Sequence, residues 1–241
     1  MIATIEKISK DPVGFRRPSD AGVYLLKDVS VLLKATDHAA RADEFSLSPQ
    51  QINGWAKKGF AQIKIDGVFS QRRFIRFPDL ITVRMVAILR SHGISLQKTS
   101  VAHDYLVEAL RTSHPFVNRA LWVEDAEVAE DVYADVDHLL VTASRHGQLP
   151  FTELLRGKIV EVANMTFDDA GFATTWTPFD GVVIDPNVHS GASCLRGTRI
   201  STGIIYGMHS AGETVDKIAD WYEIEVGQVE SAIEWEERLA A

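Results

Sequence analysis

The chain has 241 residues, 46% of them hydrophobic, with 25 Lys/Arg against 33 Asp/Glu for a formal net charge of -8. That length admits one large domain or two to three small ones, each able to bury a core. No apolar run reaches the roughly 18 residues of a spanning helix, and the opening MIATIEKISK lacks the apolar stretch of a secretory leader, so a cytoplasmic protein is expected. A single cysteine, Cys194, excludes an intrachain disulfide and a cysteine-based zinc cage, and it is expected as a small half-buried side chain.

Charge divides the chain better than composition does. Residues 1–118 hold 17 basic and 11 acidic side chains, residues 119–181 hold 4 and 12, and residues 182–241 hold 4 and 10. The division predicts an irregular arm over 1–22, a polyanion-seeking module over 23–118, an acidic middle region with short strands over 119–181 and an acidic C-terminal module over 182–241. Two separate tasks are expected of the basic and acidic parts.

In chain order, the arm carries Pro12, Gly14, Pro18 and Gly22 with little periodicity. Residues 24–33 place Val29 and Leu33 at helical spacing, and 38–44 is polar and reads as a loop. Ser48 then predicts a helix cap with Pro49 in the first position, where a missing N–H costs nothing, and Gly59 predicts its end. On that helix Ile52, Trp55 and Ala56 share one face, while Gln50, Asn53, Gly54 and Lys57 share the other. Alternation over 61–77 around Asp66-Gly67 predicts a β-hairpin. Pro78-Asp79 opens a helix that Gly93 closes, and Ser95 caps another over 96–110, stopped by His114-Pro115.

Beyond that point, 119–123 and 139–143 resemble short strands, 151–162 is helix or strand, and 165–176 predicts a hairpin turning at Asp169-Ala170-Gly171. Residues 182–184 are strand-like and lead into a glycine-rich loop over 185–197. Helices over 215–222 and 226–239 follow, spaced as in a helix-turn-helix. The expected fold is α+β and mainly α, with a winged helix-turn-helix at the front, a small mixed middle and a helical, helix-turn-helix-like end.

The basic charge is concentrated. Between Phe45 and Lys98 nine Lys/Arg stand against Asp66 and Asp79 alone. A helix, a turn, a capped second helix and a basic hairpin compose a winged helix-turn-helix, whose second helix enters the major groove while the hairpin follows the phosphates. Gln50, Gln51 and Asn53 both donate and accept, which suits bidentate contact with adenine, and they are the candidates for base readout. Lys57, Lys58, Lys64, Arg72 and Arg73 are the candidates for phosphate contact, which positions without specifying. The bland alternative is that these charges form a solvated face.

This stretch resembles the DNA-binding domain of MerR-type regulators through Tyr24, Trp55 to Gly59, Lys64 to Arg73, Phe77 to Leu80 and Leu89-Arg90-Ser91-His92-Gly93-Ile94-Ser95-Leu96. The tail resembles a family of unknown-function domains found in bacterial toxin–antitoxin operons through Asp185-Pro186, Gly197-Thr198-Arg199-Ile200, Gly212-Glu213-Thr214 and Ala232-Ile233-Glu234. Together they resemble a VapB-type antitoxin of a type II toxin–antitoxin system. The resemblance implies a homodimer that represses its own operon at an inverted repeat and neutralises a PIN-domain, VapC-type ribonuclease toxin.

The final helix carries Glu230, Glu234, Glu236 and Glu237, which phosphate would repel, so it is expected to dock on protein. An acidic face fits the basic RNA channel of such a toxin, and an arginine could approach its metal site. Arg196, Arg199, Glu230, Glu234, Glu237 and Arg238 are the candidate toxin contacts, although Arg199 could instead pair with Asp185. No catalytic set, cofactor motif or metal-ligand spacing is found, so neither enzyme chemistry, a cofactor nor a metal is expected. The alternative function is a ligand-responsive MerR-like regulator, with Trp122, Trp176, Trp221 and Trp235 lining an effector pocket.

Overall fold

A computed structural model describes residues 18–36, 47–65, 72–91, 93–121 and 164–241. The arm over 1–17, the loop expected over 38–44, the Asp66-Gly67 turn, Trp122 and the elements expected at 139–143 and 151–162 lie outside the described residues.

The front half begins with strand β1 (Tyr24–Leu25), which runs directly into helix α1 (Leu26–Ala35). Leu26, Val29, Leu32, Leu33 and Ala35 give α1 one buried face. Helix α2 (Pro49–Ala56) starts where Ser48 predicts. Ser48 Oγ accepts from the Gln51 amide at 3.2 Å, and the Ser48 amide donates to Gln51 Oε1 at 2.7 Å, closing a reciprocal capping box. Strands β2 (Lys64–Ile65) and β3 (Arg73–Ile75) pair antiparallel as the two sides of the expected β-hairpin, the candidate wing, and β3 also pairs with β1, placing Tyr24 opposite Ile75.

Helix α3 (Phe77–Ser91) is buried on nearly all sides, with even Thr82 and Arg84 covered, and forms the centre of the molecule. Its buried Asp79 ties down the wing: Oδ1 accepts from the Gln62 amide at 2.9 Å and Oδ2 from the Arg76 amide at 3.4 Å. Helix α4 (Leu96–Leu110) is capped by Ser95, whose Oγ accepts from the Lys98 amide at 3.3 Å. His103 on α4 sits edge-on between the rings of Phe60 and Phe116. Burial holds its pKa below the ordinary imidazole value, against the opposing pull of Asp104.

The strand expected at 119–123 is replaced, as far as Leu121, by a 3-10 turn over Arg119–Leu121. Four further strands, β4 (Met165–Phe167), β5 (Ala173–Phe179), β6 (Val182–Ile184) and β7 (Ser193–Leu195), form an antiparallel sheet in the order β4-β5-β6-β7. The predicted hairpin is its first pair. Its turn is held by Asp168, whose Oδ1 accepts from the Phe172 amide at 2.8 Å. The boundary drawn between 181 and 182 therefore falls inside one sheet, because β5 bonds to β6 with Trp176 opposite Ile184.

Three helices close the chain: α5 (Thr202–Ser210), α6 (Val215–Tyr222) and α7 (Val226–Ala240). The last two match expectation, while α5 is an addition within a stretch whose glycines concealed it. Leu195, Ile205, Ile218, Ala219, Val229 and Ala232 make a small core of their own. Among the described residues no helix is long and apolar enough to cross a membrane.

The basic and acidic parts do not stand apart. Trp176, Val182, Ile184 and Trp235 belong to the same buried cluster as Leu26, Phe77 and Leu80. The Arg84 guanidinium lies 4.9 Å from the centre of the Trp176 ring, and Lys34 Nζ on α1 donates to the Ala241 carbonyl at 3.2 Å. The Val23 amide donates to the Ser190 carbonyl at 2.8 Å. The Tyr24 ring fills a slot between Gly22 and Gly191, where burial and the nearby Asp185 carboxylate push its hydroxyl pKa up. Trp176 and Trp235 are both 0% exposed, so they fill this shared core and do not line an effector pocket.

Candidate nucleic-acid interface

The capped start of α2 aims its outer face across a groove of about 420 Å³. The groove is lined by Gln50 and Asn53 of α2, by Leu26 and Lys27 of α1, and by Arg72 and Arg73 at the wing. Ile52 and Trp55 anchor the opposite face of α2 in the core, which fixes the rotation of the helix. Arg73 Nη1 donates to Asn53 Oδ1 at 3.3 Å, joining wing to helix across the groove.

Of the three expected base readers, Gln50 and Asn53 line the groove and Gln51 does not. Its carbonyl oxygen accepts from the Ser48 amide in the capping box, which gives Gln51 a structural role. Arg72 and Arg73 are exposed in the groove wall, and Lys57 and Lys58 are exposed where α2 ends. Lys64 forms an ion pair with Asp20, which occupies its ammonium group. Lys27 was missed, since it lies outside the basic run and only the packing of α1 beside α2 brings it to the groove.

The excess of positive charge is also partly structural. Arg76 donates to the Gly22 carbonyl at 2.8 Å and stacks on Phe74, Arg84 is only 4% exposed, and Arg90 donates to the Ile94 carbonyl at 3.0 Å. The cations left at the groove are Arg72 and Arg73 of the wing, together with Lys27 of α1.

On α7, Glu230, Glu234 and Glu237 fall at successive helical turns and are all exposed, while Val229, Ala232 and Trp235 face inward. The four expected acidic positions therefore separate. Glu236 accepts from the Thr202 hydroxyl and ties α7 to α5, and the other three form an outward stripe. Arg238 is not free to reach a partner. It pairs with Glu234 at 2.8 Å and covers the Phe179 ring at 4.5 Å, which in turn stacks on Trp235.

Arg196 is exposed with Asp180 at 3.7 Å, and Arg199 is exposed with no carboxylate in ion-pair range among the described residues. Asp185 does not take Arg199 as its partner. Its Oδ1 accepts from the Asn187 amide at 2.8 Å and shapes the glycine-rich loop. Cys194 is buried, and burial, reinforced by Asp185 and opposed by Arg199, pushes its thiol pKa up. Among the described residues, no group of three or more His, Cys, Asp or Glu is arranged to hold a metal ion.

Residues 182–235 match the model of the family described as "Protein of unknown function (DUF433)". The segment takes in β6, the glycine-rich loop, β7, α5, α6 and most of α7. Among solved structures the chain is similar to the crystal structure of Rv2018 from Mycobacterium tuberculosis, with a TM-score of 0.63 and 21% identity over 91% of this chain and 99% of that one. That likeness is one of fold, and it extends through both the basic and the acidic parts. A search of curated proteins gives no match.

Proposed function

We propose that the chain is an antitoxin of the VapB type, which binds operator DNA through the α2–wing groove and a PIN-domain ribonuclease through the acidic stripe of α7. The observation that carries this reading is the groove itself: exposed amides on a rigidly seated helix, facing three cations from two other elements. Helix, wing and cations are the parts of a groove-reading module, and an inverted repeat would take two copies of the chain related by a two-fold axis. The tail's match to a family of toxin–antitoxin operon domains supports the second half, as does a stripe of three carboxylates that repels nucleic acid and suits a basic protein channel.

Two pairs of measurements test it. The double variant Arg72→Ala, Arg73→Ala is expected to weaken operator binding and to lower the slope of log affinity against log salt by about 0.9 for each phosphate that is no longer neutralised. Unchanged affinity and slope would remove the wing from the interface. Reversing Glu230, Glu234 and Glu237 to lysine is expected to abolish inhibition of the co-encoded ribonuclease while leaving operator binding intact or stronger. Full inhibition by that variant would exclude α7 as the docking surface. Co-purification of the chain with the product of the neighbouring gene is the direct test of the partnership.

A further inference from the structure

We propose that Asn53 is a donor-biased reader that selects guanine, with Arg73 as the residue that positions it. The inference rests on the DNA-binding reading above and concerns which base that groove accepts.

An unengaged asparagine offers one acceptor and two donors, and it pairs naturally with the acceptor–donor edge of adenine. Asn53 is not unengaged. Arg73 Nη1 donates to its Oδ1 at 3.3 Å, which occupies one acceptor site of that oxygen and leaves both NH2 hydrogens to donate. Arg73 is set by the sheet: it opens β3 opposite Ile65, and the next residue, Phe74, pairs with Leu25 on one side and Lys64 on the other. The remaining N–H groups of a guanidinium are donors and never acceptors. The Asn53–Arg73 side of the groove is therefore rich in donors, with one of the two lone pairs of Asn53 Oδ1 already taken.

In the major groove, guanine offers two adjacent acceptors, N7 and O6. Adenine places an amino group beside N7, thymine offers one acceptor next to a methyl group, and cytosine offers a donor. Two donors side by side are matched by guanine and opposed by the adenine amino group. Gln50, one helical turn away on the same face, makes no hydrogen bond among the described residues and retains both amide functions. The reading face of α2 is thus asymmetric, with guanine favoured at Asn53 and adenine permitted at Gln50.

The test is selection of duplexes from a randomised pool by the full chain, comparing wild type with Asn53→Ala and Arg73→Met. Both positions are on the surface of the groove, so neither change disturbs the core. Wild type is expected to prefer guanine over adenine roughly tenfold at one position of each half-site. Asn53→Ala should flatten that position and no other, which identifies it. Arg73→Met should lower affinity for all sequences and also move that position toward adenine, since the amide oxygen is released.

Adenine at the Asn53 position in wild type overturns the inference. So does an Arg73→Met variant that loses affinity but keeps its guanine preference, because Arg73 would then be a phosphate contact alone. If wild type retains no duplex even at low salt, the DNA-binding reading falls and takes this inference with it, an outcome distinct from binding with the wrong base.

Discussion

Replacing Trp235 with alanine should destabilise the whole chain, the basic head included, by about 3–5 kcal/mol, the range for deleting a large buried aromatic side chain. The ring is 0% exposed, stacks on Phe179 at 6.0 Å and shares its cluster with Leu26, Phe77 and Leu80 from the front half. Chemical denaturation followed both by far-ultraviolet circular dichroism and by operator binding should give one coincident, shifted transition. Two transitions, with the head retaining its original midpoint, would show that the halves fold independently. The same packing means that deleting residues 226–241 is not a clean test of toxin binding. It would strip the core of the head as well, which is why surface charge reversal on α7 is the appropriate change.

Substituting Gly191 with alanine should lower stability on the order of 3 kcal/mol, combining the cost of a side chain at positive φ with that of overpacking. The residue has φ of +91°, and an added Cβ would lie 2.1 Å from Tyr24 Oη and 2.6 Å from Tyr24 Cζ. Relief requires the tyrosine to leave its slot. Because Tyr24 pairs with Ile75 of the wing, the displacement should also reduce operator affinity, although Gly191 is in the acidic half. The check is a double-mutant cycle. In a Tyr24→Ala background the collision is gone, and Gly191→Ala should then cost only about 1 kcal/mol for its backbone conformation. Equal costs in both backgrounds would refute the collision as the cause.

Much of this architecture is legible where it depends on short-range chemistry. Ser48-Pro49 and Ser95 mark helix starts because each hydroxyl satisfies an amide a few residues ahead, and such caps can be seen without knowing the fold. The wing and the hairpin over 165–176 are legible for the same reason, since a turn signal lies between β-prone runs. Helix α5 is not, because Gly203 and Gly207 lower its helical propensity, and tertiary packing of Ile205 decides the outcome.

The site is harder to see than the fold. Composition counts Arg76, Arg84 and Arg90 with the groove cations, and only burial and hydrogen bonding separate them. Gln51 shares the residue type of a base reader and is distinguished by its bond to Ser48. The Asn53–Arg73 pair joins residues 20 apart in sequence, and nothing in the local pattern at either position announces it. Trp176 and Trp235 are unmistakably core-forming, yet the sequence does not say whose core they fill.

The shared sheet and the tyrosine slot bear on how such a chain can evolve. An exchange of gene segments at the junction of residues 181 and 182 would cut between β5 and β6 and would hand the head a tail whose loop was not shaped for Tyr24. The two sides of that junction meet at Val23 with Ser190, Tyr24 with Gly191 and Trp176 with Ile184, so a transplanted tail would have to reproduce all three meetings at once. Such an exchange is therefore expected to unfold the chain, whereas substitutions on the outer stripe of α7 at Glu230, Glu234 and Glu237 leave these meetings untouched.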